Sequence, residues 1–236
     1  MSIWTNLAAL ASRVTVPSLT AIVETLRSVF VADPELRRQV AFSVAIIALA
    51  AKMAKADGVV TQAEVGAFRE IFHVPPEEER NVLRLYNLAQ QDVAGFEAYA
   101  DQMARLCGSG ERNCMMLEDI VDGLFHIAKA DGLIHERELG FLRRVAEIFE
   151  IDEVYFDQIM ARHAIGGEGD PFLVLGVPRD STREVVTSRY RRLVADNHPD
   201  RLMGRGFPAE FIRIANDRMA TINAAYAAIQ ADWQFP

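Results

Sequence analysis

Hydrophobic residues recur along most of the chain at intervals of three and four positions, the period of an amphipathic α-helix. Alanine-rich stretches and the scarcity of β-branched runs favour helices as well. The front part predicts helices over residues 40–55, 76–91, 95–107, 115–129 and 152–163. The predicted fold class is all-α, a helical bundle with an internal repeat followed by a C-terminal helical hairpin.

A repeat with an offset of 74 residues organises the front part of the chain. The stretch 54–72 reads AKADGVVTQAEVGAFREIF, and 128–149 reads AKADGLIHERELGFLRRVAEIF. In each copy an Asp-Gly pair follows a helix, and the glycine suits the left-handed residue that ends one. Thr61 and Glu64 predict a capping box for the next helix, whereas the second copy has His135 in place of the threonine.

This doubled pattern resembles the TerB (tellurite resistance B) helical domain over residues 37–163. The resemblance implies a metal-binding or protein-interaction role, with candidate metal ligands Asp57, Glu64, Asp131 and Glu138. The alternative to a metal-binding role is that the Asp-Gly pairs serve only to end helices. Glu64 is expected to cap a helix, whereas Glu138 lacks so clear a capping role. We therefore expect Asp131 and Glu138 to bind a divalent ion more strongly than Asp57 and Glu64 do. An EF-hand is excluded, since oxygen ligands at alternating loop positions are missing.

Three further polar residues, Glu118, Asp122 and His126, share one face of the helix predicted over 115–129 because they are four residues apart. Such a face holds a cation, or it is solvated or salt-bridged, and the solvated or salt-bridged face is the more common alternative.

The composition changes at residue 170, after the glycine-rich stretch IGGEGD (165–170). Residues 1–169 contain 25 acidic and 16 basic residues, a net charge of −9, whereas residues 170–236 contain 8 acids and 9 arginines, a net of +1. Glycines supply chain flexibility, so a linker is expected there, open to proteases at 166–169. The predicted organisation is an N-terminal helical arm (1–36), a bundle (37–163), a linker (164–169) and a C-terminal domain (170–236).

The C-terminal domain predicts two antiparallel amphipathic helices. Ser181 and Glu184 predict a capping box for the first helix, and Pro199 ends that helix by His198. Pro208 can start the second helix. Their apolar stripes are Val186, Tyr190, Leu193 and Val194 in the first helix, and Phe211, Ala215, Met219, Ile222, Tyr226 and Ile229 in the second. When the two helices pack along these stripes, the sequence His-Pro-Asp (198–200) lies at an exposed tip.

This hairpin resembles the J domain of DnaJ-type co-chaperones over residues 170–231, and the tandem with a TerB-like domain is similar to the DjlA type. The matching residues are Phe172, Leu175, Gly176, Val177, Tyr190, Arg191, Leu193, His198, Pro199, Asp200, Ile222, Asn223, Ala225 and Tyr226. The resemblance implies that a DnaK-type chaperone is the partner and that its ATP hydrolysis is stimulated. The candidate DnaK-binding residues are His198, Pro199, Asp200, Arg189, Arg191, Arg192 and Arg201.

Several classes of function are disfavoured. The front part is too acidic to bind the phosphates of a nucleic acid well. Cys107 and Cys114 lack a second ligand pair for zinc and are expected to be free thiols. The sequence GSGER (108–112) lacks the residues of a phosphate-binding loop, and no nucleophile, base and orienting acid can be proposed together, so the chain is not expected to be an enzyme.

We expect a cytoplasmic location, with a peripheral position at the inner membrane as the alternative, and no transmembrane anchor. The run AFSVAIIALAA (41–51) is shorter than the ~20 residues that span a bilayer. An apolar stripe in the N-terminal arm, residues 3–14, either docks on the protein itself or touches a membrane surface. No cofactor is expected to be required. Two functions stay open: a co-chaperone whose front domain binds a partner or client, and a metal- or stress-responsive adaptor whose front domain binds divalent cations and recruits DnaK.

Overall fold

All regular secondary structure in the described part of the chain is helical. The computed structural model describes residues 34–57, 66, 79–91, 95–106, 115–164, 169–198, 200, 201 and 212–233. The helices are α1 (Pro34–Asp57), α2 (Glu79–Gln91), α3 (Phe96–Leu106), α4 (Met115–Ala128), α5 (Glu136–Ile148), α6 (Glu153–Arg162), α7 (Pro171–Leu175), α8 (Arg183–Asp196) and α9 (Ile212–Asp232). The predicted all-α fold class is therefore confirmed.

Helix α1 is the centre of the front bundle. Its residues from Val44 to Met53 are almost entirely buried, on every side of the helix. A helix that is apolar all round needs neighbours all round, and α1 packs against α2, α3, α4 and α5. It begins at Pro34, six residues before the predicted start, so the predicted arm (1–36) and the bundle share a helix.

Helices α7, α8 and α9 form a second, smaller core. Its buried members are Val174, Leu175, Val186, Leu193, Ile222, Ala225 and Ile229. Tyr190 of α8 and Tyr226 of α9 stack with ring centroids 3.9 Å apart and planes 4° from parallel. The two helices are therefore joined along the stripes that the sequence predicts, over their described residues.

The two cores are in direct contact rather than separated. Ile214 of α9 is buried in the front core, and Ala161 of α6 packs against the second core. Gly176 ends α7 with a φ of 66°, and a Cβ there would collide with the side chain of Gln158. A Cβ on Gly169 would collide with the carbonyl oxygen of Ala161. Gly169, the last residue of the expected linker, therefore lies against α6, whereas residues 165–168 lie outside the described residues and the linker stays a prediction.

Local signals at the helix ends are partly as predicted. Gly132 is left-handed, with a φ of 91°, and follows a short 3₁₀ turn at Lys129–Asp131, as the Asp-Gly pattern indicates. The predicted capping box of Ser181 and Glu184 is wrong by one residue: Thr182 is the N-cap of α8, and its Oγ1 accepts a hydrogen bond from Val185 N (3.4 Å). The predicted roles of Thr61 and Pro208 lie outside the described residues.

Candidate functional site

The candidate site is the end of α8, where the chain leaves the helix. Helix α8 ends at Asp196, and the tip residues His198 and Asp200 follow with their side chains 54% and 80% exposed. His198 Nδ1 accepts a hydrogen bond from Asp200 N (3.3 Å), and the Asp200 carboxylate lies 3.7 Å from the same ring. The structure thus brings these two predicted residues together at an accessible surface, while Pro199 lies outside the described residues.

The four candidate arginines fall into two groups. Arg191 and Arg192 are exposed on α8, so their guanidinium groups face solvent. Arg189 Nε instead donates to the Leu175 carbonyl oxygen (3.1 Å), which ties α8 to α7. Arg201 donates to Asp196 Oδ1 (2.8 Å) and to the Ala195 carbonyl oxygen (3.3 Å), and so closes the end of α8. The first pair therefore suits contact with a partner, and the second pair has structural contacts.

A buried arginine supports the tip from behind. Arg218 of α9 is 6% exposed and donates from Nη1 to Asn197 Oδ1 (2.8 Å). Asn197 is the C-cap of α8 and immediately precedes His198. Its Nδ2 in turn donates to the Leu193 carbonyl oxygen (2.8 Å). Arg218 and Asn197 thereby fix the last turn of α8, where the tip begins.

The other end of this arginine is held by two acids of the front bundle. Arg218 Nε and Nη2 both donate to Asp122 Oδ2 of α4, at 3.1 and 2.9 Å, and Nη2 also contacts Asp119. Asp122 Oδ1 accepts from Arg162 Nη2 (3.2 Å) and from His163 Nε2 (3.1 Å), which end α6. Asp122 therefore joins three helices, α4, α6 and α9.

Burial and charge act in opposite directions on the pKa values in this cluster. Burial raises the pKa of Asp122, but Arg218, Arg162 and His163 lower it more, so it lies well below its usual range. For Asp119 burial outweighs Arg218, and the pKa is raised. The Arg218 guanidinium stays charged, because the two acids raise its pKa despite burial. Burial lowers the pKa of His163, which favours the neutral imidazole.

The salt-bridged alternative for the face of Glu118, Asp122 and His126 is confirmed at Asp122. His126 Nδ1 lies 3.7 Å from Asp217 Oδ2, a second contact between α4 and α9. Glu118 is hydrogen-bonded to Tyr155, and burial raises the pKa of the Glu118 carboxyl above its usual range. Burial also raises the pKa of Tyr155, to about 12. These three side chains each face a different partner.

The proposed metal ligands do not come together within the described residues, where no group of three or more His, Cys, Asp or Glu side chains could hold an ion. Asp131 is exposed, and its Oδ1 accepts from Leu133 N (3.2 Å). The expectation that Glu138 lacks a capping role is wrong: it is buried, and its Oε2 accepts from His135 N (2.8 Å), as in a capping box. The side chains of Asp57 and Glu64 lie outside the described residues, so metal binding stays a prediction.

Sequence reasoning missed Asn197 and Arg218. A signal for Arg218 is present in α9, because it lies four residues from both Ile214 and Ile222 and so shares their buried face. A charged residue inside an apolar stripe needs a buried partner of opposite charge. Its partner is 96 residues away in sequence, and a helical pattern does not reveal contacts at that distance.

The fold and this site define an all-α protein in which a helical bundle supports a C-terminal hairpin with an exposed histidine and aspartate at its tip. A family model described as tellurite resistance protein TerB matches residues 43–161. The chain belongs to the TerB family.

Curated relatives extend the similarity beyond the bundle. The "Co-chaperone protein DjlA" of Legionella pneumophila is 26% identical over 229 residues, covering 81% of this chain and 76% of the relative. The protein of the same name from Photobacterium profundum is 25% identical over 224 residues, covering 84% and 80%. No solved structure matches. The resemblance to DjlA-type proteins is thereby confirmed, and it supports a co-chaperone role.

Among the helices of the described residues, none has the length and apolar character needed to cross a bilayer.

Proposed function

We propose that the protein is a co-chaperone that docks its His198–Asp200 tip on a DnaK-type chaperone and stimulates ATP hydrolysis by that partner. The observation behind the proposal is the tip itself: two exposed polar side chains that follow Leu193, the last buried apolar residue of α8, at the end of the hairpin. The similarity to co-chaperones named DjlA supports the same role.

The chemistry of the tip suits contact with a charged partner. The Asp200 carboxylate is 80% exposed and can accept both donors of a partner arginine. Arg191 and Arg192 offer forked donors to partner carboxylates. The groups that hydrolyse ATP belong to the partner, and this chain acts by binding. The acidic front bundle is then the module that binds a client or a further partner.

The test is single-turnover ATP hydrolysis by a DnaK-type chaperone, measured against the concentration of the full chain. We expect His198→Gln to abolish stimulation, because it removes a tip side chain that contributes little to the core. An exposed substitution of this kind changes stability by less than ~0.5 kcal/mol, so the melting temperature should stay close to that of the wild type.

The matched control is His135→Gln, the same change at a histidine with similar exposure (50%) on the front bundle. It should leave stimulation intact. Full stimulation by His198→Gln, or equal losses in both variants, would overturn the proposed function.

A further inference from the structure

The contacts of Arg218 connect the front bundle to the residue that precedes the tip. Asp122 of α4, Arg218 of α9 and Asn197 at the end of α8 are joined in series by hydrogen bonds of 2.8 to 3.1 Å. We call these three residues the arginine bridge. All three are at least 93% buried, so solvent does not compete for the bonds.

The planar guanidinium makes this connection directional. Its five N–H donors lie in one rigid plane. One edge, Nε and Nη2, is fixed by Asp122 Oδ2, and the remaining nitrogen, Nη1, therefore points to a set place, where it meets Asn197 Oδ1. The position of Asp122 in the bundle thus determines where Asn197 is held, one residue before His198.

The cluster is a structural link rather than a ligand site. The void between α4, α6 and α9 has a volume of about 10 Å³, which is room for one water molecule at most. The two acids, Asp119 and Asp122, are balanced by two arginines, Arg162 and Arg218. No net charge is left among these four described residues to attract an ion.

We propose that the arginine bridge is a positioning device through which the TerB domain holds the tip in its docking conformation. The proposal rests on the proposed function and deepens it, since it assigns the front domain a part in the same site. The bridged state is the competent one, because it leaves His198 and Asp200 exposed. Without the bridge the tip samples other conformations, and the apparent dissociation constant rises as the competent fraction falls.

The experiment compares Asp122→Asn with Asp217→Asn in the full chain. Asp122→Asn keeps the shape of the side chain but removes the charge that orients Arg218. Asp217→Asn is the matched control, because Asp217 also joins α9 to the bundle, through His126, but does not contact Asn197. We expect the first variant alone to raise the half-maximal concentration for ATPase stimulation about tenfold, which corresponds to a competent fraction of about one tenth.

The maximal stimulation separates positioning from docking. Asp122→Asn retains the tip side chains, so saturating concentrations should restore the wild-type maximum, whereas His198→Gln should lose the maximum itself. An unchanged half-maximal concentration in Asp122→Asn, or equal rises in both aspartate variants, would overturn the bridge.

Amide hydrogen exchange tests the bridge without any chaperone. Exchange at residues 197–201 should accelerate in Asp122→Asn, 75 residues away in sequence, and stay unchanged in Asp217→Asn. If exchange accelerates in Asp122→Asn but neither the wild type nor any variant stimulates a chaperone, the bridge is supported and the proposed function is refuted. If Asp122→Asn does not fold, Asn197→Ala decides, because it leaves every ion pair in place: faster exchange at 198–201 supports the bridge, and unchanged exchange refutes it.

Discussion

Replacing Arg218 by methionine tests how much of the fold depends on the buried charges. Methionine retains an unbranched apolar side chain but removes the guanidinium of Arg218, whose side chain is 95% buried. Asp122 would keep Arg162 and His163 as partners, whereas Asp119 would lose the guanidinium that contacts it. Removing one partner of a buried pair costs about 3–5 kcal/mol, because the remaining charge is left uncompensated.

For a chain of this length, each kcal/mol lowers the melting temperature by about 2–4 °C. We therefore expect Arg218→Met to lower it by roughly 6–20 °C, measured by far-ultraviolet circular dichroism. The control is Arg144→Met, which breaks an exposed pair with Glu147 (2.7 Å) in which both side chains are more than half exposed. Solvent screens a surface pair, which therefore contributes little to stability, so the control should melt close to the wild type.

A second substitution identifies the cause of the loss. Burial already raises the pKa of Asp119, whereas the pKa of Asp122 is lowered, so the charged form is less favourable in Asp119 than in Asp122. Adding Asp119→Asn to Arg218→Met removes the uncompensated charge and should recover part of the lost stability. Equal melting temperatures for Arg218→Met and Arg144→Met, or no recovery in the double variant, would refute the reasoning.

Two further predictions concern the hairpin core and pH. Tyr226→Ala should lower the free energy of unfolding by ~3 kcal/mol or more, because it removes the ring stacked on Tyr190. Tyr226→Phe should lower it by only ~1 kcal/mol, because it loses only the contact with Thr187 Oγ1 (3.2 Å). Urea unfolding measures both losses, and equal losses would contradict the stacking argument. Burial lowers the pKa of His163 below 6.5, with Asp122 opposing and Lys129 and Arg162 adding to the shift. The unfolded state therefore binds the proton first, so stability should fall as the pH drops below 6.5, and His163→Gln should flatten that slope; an identical slope in the variant would speak against it.

Periodicity predicted the hairpin because its core is built from local stripes. Val186 and Leu193 are buried on α8, and Ile222 and Ile229 are buried on α9, as the three- and four-residue spacing requires. Helix ends were less certain. Ser181 and Thr182 both have a hydroxyl that can cap a helix, and only the backbone decides between them.

The candidate site could be predicted only in part. Pro199 and the end of the α8 stripe place His198 and Asp200 outside the helix, so their exposure follows from local sequence. The contacts of Arg189 and Arg201 do not follow, because their acceptors include the carbonyl oxygens of Leu175 and Ala195, and every residue offers such an acceptor. The packing of α7 on α6 depends on Gly176 and Gln158, whose contact crosses the predicted domain boundary.

The burial of Arg218 also limits how the hairpin can be exchanged between proteins. A chimera that combines this bundle with a foreign hairpin lacking an arginine at that position would place Asp119 and Asp122 beneath an apolar helix. The reverse chimera, this hairpin on a bundle without those acids, would bury an unpaired guanidinium. Either chimera keeps a complete tip and a complete apolar stripe, yet each is mismatched at the junction. Grafting therefore requires that positions 119, 122 and 218 be transferred as one set.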